Sequence, residues 1–184
     1  MRILAISGSL RAASSNTSTL MAISVLAPPG TTVALYQGIG TLPHFNPDLD
    51  TDQPPHSVYG WRRDVGLSDG LLFCSPEYAH GIAGSLKNAL DWLVSSPEFQ
   101  NKPFAIINAS PRSTHANAQL IEVLKTMNGQ FIKASSITLP ILGRNGNGDG
   151  NTNSIAIDGE IALMLRNAIF EFVREIGLRS ASMA

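Results

Sequence analysis

The sequence predicts an α/β fold, with one domain over residues 1–184 and a parallel β-sheet that has helices on both faces. Three observations lead to this prediction. Short apolar runs alternate with segments of helical periodicity, as in successive βαβ units. A length of 184 residues suits a single domain. Hydrophobic residues make up 43% of the chain and charged residues 15%, an ordinary composition for a globular core.

Strands and helices are assigned from the spacing of apolar residues. Five buried strands are predicted from short runs bounded by glycine, proline or polar residues: 3–6, 32–36, 70–74, 104–108 and 134–139. Five helices follow them, at 16–26, 57–65, 86–94, 116–127 and 155–176. In the first helix, Leu20, Ile23 and Leu26 share one face, and Pro28 ends the pattern. Residues 38–55 are rich in Gly, Pro and Asp and are predicted to form a long loop.

Three loops that follow predicted strands are dense in small polar residues. They are residues 7–16 (SGSLRAASSN), 75–85 (SPEYAHGIAGS) and 109–118 (ASPRSTHANA). The carboxyl ends of parallel strands lie at one edge of the sheet, and open α/β sheets bind their ligands at that edge. The three loops are therefore expected to form the functional site.

The first of these loops has the residue types of a phosphate site that needs no metal. Backbone N–H groups at the start of the following helix point outward at the positive end of the helix dipole. Arg11 adds charge, the hydroxyls add hydrogen-bond donors, and Gly8 permits a tight turn. Neither a Walker loop nor the dinucleotide fingerprint G-x-G-x-x-G is present. The loop alone leaves open the alternative that residues 14–19 only cap the helix.

The second loop and the helix after it carry a family resemblance. Residues 75–93, SPEYAHGIAGSLKNALDWL, resemble the signature of the NADPH-dependent FMN reductase family, which includes quinone, chromate and azo-dye reductases. The sequence GSLRAASSN at 8–16 resembles the phosphate loop of that family, and LPHFNPDLD at 42–50 resembles its loop after the second strand. The first two motifs fall at the ends of predicted strands, as the family requires.

This resemblance implies a flavodoxin-like three-layer sandwich with a five-stranded parallel sheet in the order 2-1-3-4-5. It also implies bound FMN, NADPH or NADH as electron donor, and a homodimer or homotetramer. The residues that it places around the FMN phosphate and ribityl chain are Ser9, Arg11, Ser14, Ser15, Asn16 and Thr17. The residues that it places along the isoalloxazine are Pro76, Glu77, Tyr78 and Gly81, with Ser110 at the flavin edge.

The third loop departs from the family pattern. Many relatives have a glycine-rich segment there, whereas this chain reads SPRSTHA at 110–116. The departure puts the shape of one wall of the pocket in question, and with it the strength of FMN binding. Two readings of Arg112 are open: a solvated surface charge, or a cofactor contact by analogy with arginines that recognise the 2′-phosphate of NADP.

No metal site is predicted, and one helix is predicted to lie at a subunit contact. The four histidines show no metal-ligand spacing. Residues 145–156, NGNGDGNTNSIA, lack the acidic first ligand and the final glutamate of a calcium loop and are predicted to be a glycine-rich loop.

The apolar surface formed by Leu86, Leu90 and Trp92 looks wider than one sheet contact needs. Part of it is therefore expected to pack against a second subunit.

The predicted function is that of an FMN-dependent NAD(P)H oxidoreductase. Hydride would pass from NAD(P)H through bound FMN to a small-molecule acceptor: a quinone, an azo compound, a metal oxyanion or free flavin. The first step requires no side-chain acid or nucleophile, so no catalytic residue is assigned. The alternative is a flavodoxin-like electron carrier or sensor without NAD(P)H oxidation of its own. The altered third loop also keeps open an anion-binding fold without flavin.

Composition argues against several other classes. The net charge is −1 and no basic block occurs, so a nucleic-acid partner is not expected. No run of about 18 apolar residues occurs, so no membrane span is expected. Cys74 is the single cysteine, which rules out a disulfide within the chain and suits the reducing cytoplasm.

Overall fold

A computed structural model describes residues 1–141, 155 and 159–183. The strands are β1 (Arg2–Ser7), β2 (Thr32–Tyr36), β3 (Gly70–Cys74), β4 (Glu77–Tyr78), β5 (Gly81–Ile82), β6 (Pro103–Asn108), β7 (Gln130–Phe131) and β8 (Ile137–Thr138). The helices are α1 (Ser15–Leu26), α2 (His56–Gly66), α3 (Gly84–Asp91), α4 (Thr114–Thr126) and α5 (Gly159–Met183). The parallel sheet has the order β2-β1-β3-β6-β7, which confirms the predicted flavodoxin-like order.

Two apolar layers sandwich the sheet, because alternate residues of each strand point to opposite faces. In β1, Ile3 and Ala5 join a cluster with residues of α1 and α5. Leu4 and Ile6 join a second cluster with residues of α2, α3 and α4. These clusters give the predicted three-layer sandwich, which is confirmed.

The fifth strand position is divided, and the prediction of one strand at 134–139 is wrong in extent. β7 pairs with the start of β6 and β8 with its end, and a 3₁₀ turn (Lys133–Ser135) separates them. In the gap, the hydroxyl of Ser136 accepts the backbone N–H of Ile106 at 3.0 Å. A side chain thus supplies the acceptor that a continuous strand would have offered through its backbone.

Other boundaries also differ from the prediction. The second predicted loop contains the two-stranded antiparallel sheet β4–β5. α3 ends at Asp91 rather than residue 94, and α5 continues to Met183, beyond residue 176.

The glycine-rich segment 145–156 lies outside the described residues, apart from Ile155. Of the helices in the part that the structure describes, none has the length and apolarity needed to cross a membrane.

The interpretation of α3 as a subunit contact is wrong for the residues that suggested it. Leu86, Leu90 and Trp92 are fully buried in the core of their own chain. The indole of Trp92 donates to the carbonyl of Pro43 at 2.8 Å, and the side chain of Asn88 donates to the same carbonyl at 2.9 Å. These residues hold the loop after β2 against α3. Amphipathic spacing predicts an apolar surface but does not say whether the same chain or another covers it.

Two phenylalanines of α5 give a matched test of the core. Phe172 is completely buried and packs beside Gly70, whereas Phe170 is 49% exposed. We expect Phe172→Ala to lower the free energy of unfolding by about 3–5 kcal/mol through lost burial and a residual cavity. Phe170→Ala should lower it by about 1 kcal/mol or less. Urea unfolding of both variants measures the difference, and equal losses would contradict the placement of α5.

Candidate functional site

One cleft of about 380 Å³ lies at the carboxyl edge of the sheet. Its walls come from the loops after β1, β3 and β6, which are adjacent strands. The lining residues that the sequence predicted are Ser9, Arg11, Ser14, Ser15, Asn16, Pro76, Glu77, Tyr78 and Ser110. Ala13, Arg112 and Ser113 complete the lining, whereas Thr17 and Gly81 do not belong to it. Residues far apart in sequence thus meet at the edge where the sheet topology placed them.

The first wall of the cleft is the start of α1. Ser14 is the N-cap residue, and its hydroxyl accepts the backbone N–H of Thr17 at 3.3 Å. Within the described residues, the N–H groups of Ser15 and Asn16 have no acceptor. Arg11 is exposed, lines the same cleft and has no carboxylate partner among the described residues. Ser14 therefore caps the helix while two donors and one cation remain available to an anion.

Ser7 and Gly8 fix the shape of this wall, although the sequence did not single out Ser7. The Ser7 hydroxyl accepts the backbone N–H of Ser9 at 3.2 Å and the hydroxyl of Thr17 at 2.9 Å. This bond explains why the Thr17 side chain lies outside the cleft. A Cβ on Gly8 would lie 2.3 Å from the hydroxyl oxygen of Ser75 and 2.8 Å from its Cβ. Only glycine lets the first and second loops approach so closely.

The second wall is a β-hairpin formed by β4 and β5. Its two turn residues, Ala79 and His80, have φ values of 48° and 59°. Positive φ at both central residues suits the twist of a two-residue hairpin, but it costs about 1–2 kcal/mol for each residue that has a Cβ. The surroundings hold the turn, because the side-chain amide of Gln119 in α4 donates to the carbonyl of His80 at 3.1 Å.

Glu77 joins the hairpin to the third wall. Its Oε2 accepts the backbone N–H of Ala116 at 2.9 Å, and Nδ1 of His80 lies 3.2 Å from its Oε1. The N–H of Ala116 is the main cause that holds the pKa of Glu77 below its ordinary value, with a smaller contribution from the N–H of His115. Glu77 lines the cleft as predicted, but its carboxylate is committed to the N-terminus of α4.

The third wall keeps a defined shape without glycine. The buried side chain of Asn108, at the end of β6, accepts the backbone N–H of Ser110 at 3.2 Å and donates to the carbonyl of Ser113 at 3.3 Å. Ser110 is buried, and Arg112 is exposed on the cleft. The sequence did not single out Asn108. Its position at the end of a strand, directly before the third loop, could have identified it as a residue that orders that loop.

The remaining candidate groups are the histidines of the second and third loops and the single cysteine. Within residues 1–141, 155 and 159–183, no group of three His, Cys, Asp or Glu side chains is arranged to hold a metal ion. The rings of His80 and His115 meet edge to face, with centroids 4.5 Å apart.

Burial raises the pKa of Cys74 to about 12, and its thiol donates to Oδ1 of Asn16 at 3.3 Å. The thiol is a structural group rather than a nucleophile.

With this geometry in place, the family can be assigned. The model of the NADPH-dependent FMN reductase family matches residues 1–141, well over half of the chain. The chain belongs to this family, which confirms the predicted resemblance. The predicted class of function, a flavin-dependent NAD(P)H oxidoreductase, agrees with the family.

Individual relatives agree with the assignment. The chain is 41% identical over 112 residues to an NAD(P)H-dependent FMN reductase of Pseudomonas aeruginosa, with 60% of each chain covered. It is 38% identical over 108 residues to a quinone reductase of Pseudomonas putida, with 56% of this chain and 57% of the relative covered. The matches thus span less than two thirds of the length of these relatives. The structure of FerB, a flavoenzyme NAD(P)H:(acceptor) oxidoreductase from Paracoccus denitrificans, superposes with a TM-score of 0.80 at 28% identity, covering 96% of this chain and 97% of FerB.

The lowered pKa of Glu77 predicts how stability depends on pH. A carboxyl whose folded-state pKa lies below its ordinary value of 4.5 contributes stability above that value and loses it as the pH falls through the lowered pKa. We expect wild type to be more stable than Glu77→Gln at neutral pH, and the difference to shrink with increasing acidity. Free energies of unfolding, measured from neutral pH to below the ordinary value of 4.5, test this difference in stability. Glu122→Gln is the control, because Glu122 is exposed on α4. A pH-independent difference would contradict the capping role.

Proposed function

We propose that this chain is an FMN-dependent NAD(P)H oxidoreductase that reduces small-molecule acceptors, with quinones as the leading class. One observation carries the proposal. Ser15 and Asn16, whose N–H groups have no acceptor within the described residues, line a cleft of about 380 Å³ together with Arg11, at the edge of the sheet where such folds bind ligands. The alternatives are the carrier or sensor and the flavin-free anion-binding fold.

The residues present fit FMN. A phosphate dianion matches the two N–H donors and the guanidinium, and hydroxyls such as that of Ser9 add donors for the phosphate and ribityl chain. Pro76 and Tyr78 supply apolar surface on the opposite wall. We propose as the binding set those predicted cofactor residues that line the cleft. Thr17 would act indirectly through Ser7, and Gly81 would act only as part of the hairpin.

The protein contributes position rather than acid–base chemistry. FMN, when bound, accepts a hydride from NAD(P)H and passes reducing equivalents to the acceptor. Ser15, Asn16 and Arg11 would anchor the phosphate, and the strained hairpin would hold Tyr78 and the backbone beside it in one arrangement. Tyr78 is 56% exposed, so its ring is accessible to a ligand in the cleft. No side chain is assigned as a catalytic acid, base or nucleophile.

The test of this function uses purified chain loaded with FMN. Without oxygen, addition of NADPH or NADH should bleach the flavin absorbance, and addition of a quinone should restore it. Bound FMN that neither nucleotide bleaches would instead support the carrier or sensor. Failure to bind FMN would support the flavin-free alternative and contradict the proposal.

Arg11 provides a test of the phosphate site itself. We expect Arg11→Ala to weaken FMN binding by about 1–3 kcal/mol, the range for one charge-assisted hydrogen bond. Arg63→Ala is the control, because Arg63 is exposed on α2 and does not line the cleft. Fluorescence titration with FMN measures both affinities. Unchanged affinity in Arg11→Ala would remove this residue from the phosphate site.

The assembly and location belong to the same proposal. The family resemblance supports a homodimer or homotetramer, although the buried residues of α3 do not supply the contact. The single cysteine, Cys74, is buried and unpaired, which suits a cytoplasmic protein. Light scattering of the FMN-loaded chain at micromolar concentration determines the assembly.

A further inference from the structure

Two arginines from different loops line the same cleft. Arg11 follows β1 and Arg112 follows β6, with β3 between these strands. Neighbouring strands lie about 4.8 Å apart, so the two loops leave the sheet roughly 10 Å from one another. Both side chains are exposed, and neither pairs with a carboxylate among the residues that the structure describes. The cleft therefore has positive charge at two separate places.

The carboxylate that lines the cleft does not neutralise Arg112. That carboxylate belongs to Glu77, and its oxygens face the N–H of Ala116 and Nδ1 of His80. Glu77 also occupies the N-terminus of α4, so this helix end is not open to a ligand anion in the way that α1 is. Arg112 is thus a permanently charged group on this side of the cleft that is suited to an anion.

FMN by itself would need only one of these two charges. It carries one phosphate, and α1 with Arg11 already provides two N–H donors and a guanidinium for it. The backbone N–H of Arg112 is tied to the hydroxyl of Ser110 at 3.3 Å, which fixes the start of its side chain while the guanidinium stays exposed. A planar guanidinium can form two parallel hydrogen bonds to a phosphate.

We propose that Arg112 binds a phosphate group of the nicotinamide dinucleotide that reduces the flavin, and so determines affinity for the electron donor. The inference rests on the proposed function, since it requires a dinucleotide to enter the cleft after FMN. NADH and NADPH share a pyrophosphate, and NADPH has an additional 2′-phosphate. Either group has the required chemistry, and a comparison of the two nucleotides distinguishes them.

The experiment measures binding rather than turnover. Calorimetric titration of the FMN-loaded chain with NADP⁺ and with NAD⁺ is carried out for wild type, Arg112→Ala and Arg112→Lys. We expect Arg112→Ala to raise the Kd for NADP⁺ about tenfold or more, with FMN content unchanged, and lysine to restore part of the affinity. A matching loss for NAD⁺ identifies the pyrophosphate, and a loss for NADP⁺ alone identifies the 2′-phosphate. Arg63→Ala is the control for a lost exposed guanidinium.

Three results would overturn the inference. The first is an unchanged Kd for both nucleotides in Arg112→Ala. The second is loss of FMN from that variant, which would place Arg112 on the flavin instead. The third is a wild-type chain whose bound flavin is bleached by NADPH but which binds neither NADP⁺ nor NAD⁺ in the titration. Failure of the proposed function looks different: the nucleotides bind through Arg112, but NADPH does not bleach the flavin.

Discussion

The close approach of Gly8 to Ser75 is the constraint on which the candidate site depends. β1 and β3 are paired in parallel, with Ser7 opposite Cys74, so their following loops leave the sheet side by side. A Cβ at position 8 would come within 2.8 Å of the Cβ of Ser75, and the N–H of Gly8 donates to the carbonyl of Cys74 at 2.9 Å. This contact sets the distance between the wall that starts α1 and the wall formed by the hairpin.

The two helices that begin at the cleft use their N-termini differently. At α4, the carboxylate of Glu77 accepts N–H groups, so the positive end of that helix stabilises the protein itself. At α1, Ser14 satisfies one N–H and leaves those of Ser15 and Asn16 open to the cleft. The positive end of α4 thus binds a carboxylate of the protein itself, whereas the positive end of α1 has two N–H donors that can bind a ligand anion. Arg11 and Arg112 extend the positive potential across the space between them.

Local sequence patterns predicted the strands and the three loops that form the cleft, because apolar runs and the loops that follow them are short-range features. The strand order and the individual cofactor residues were instead implied by the family resemblance. The hairpin was not predicted, since Ala79 and His80 are not the Asn-Gly or Asp-Gly pair typical of a two-residue hairpin turn. The role of Glu77 depends on Ala116, which lies 39 residues away, and no local pattern shows such a pairing. The divided fifth strand depends on Ser136 reaching across to β6, which is also a tertiary effect.

If the cleft holds FMN as proposed, the phosphate of FMN lies at the start of α1. A crystal structure of the chain grown with FMN tests this placement. We expect phosphate density within hydrogen-bond distance of the N–H groups of Ser15 and Asn16, close to Arg11, with the ring between the hairpin and the loop after β6. Phosphate density at another place, or a ring outside these two walls, would contradict it.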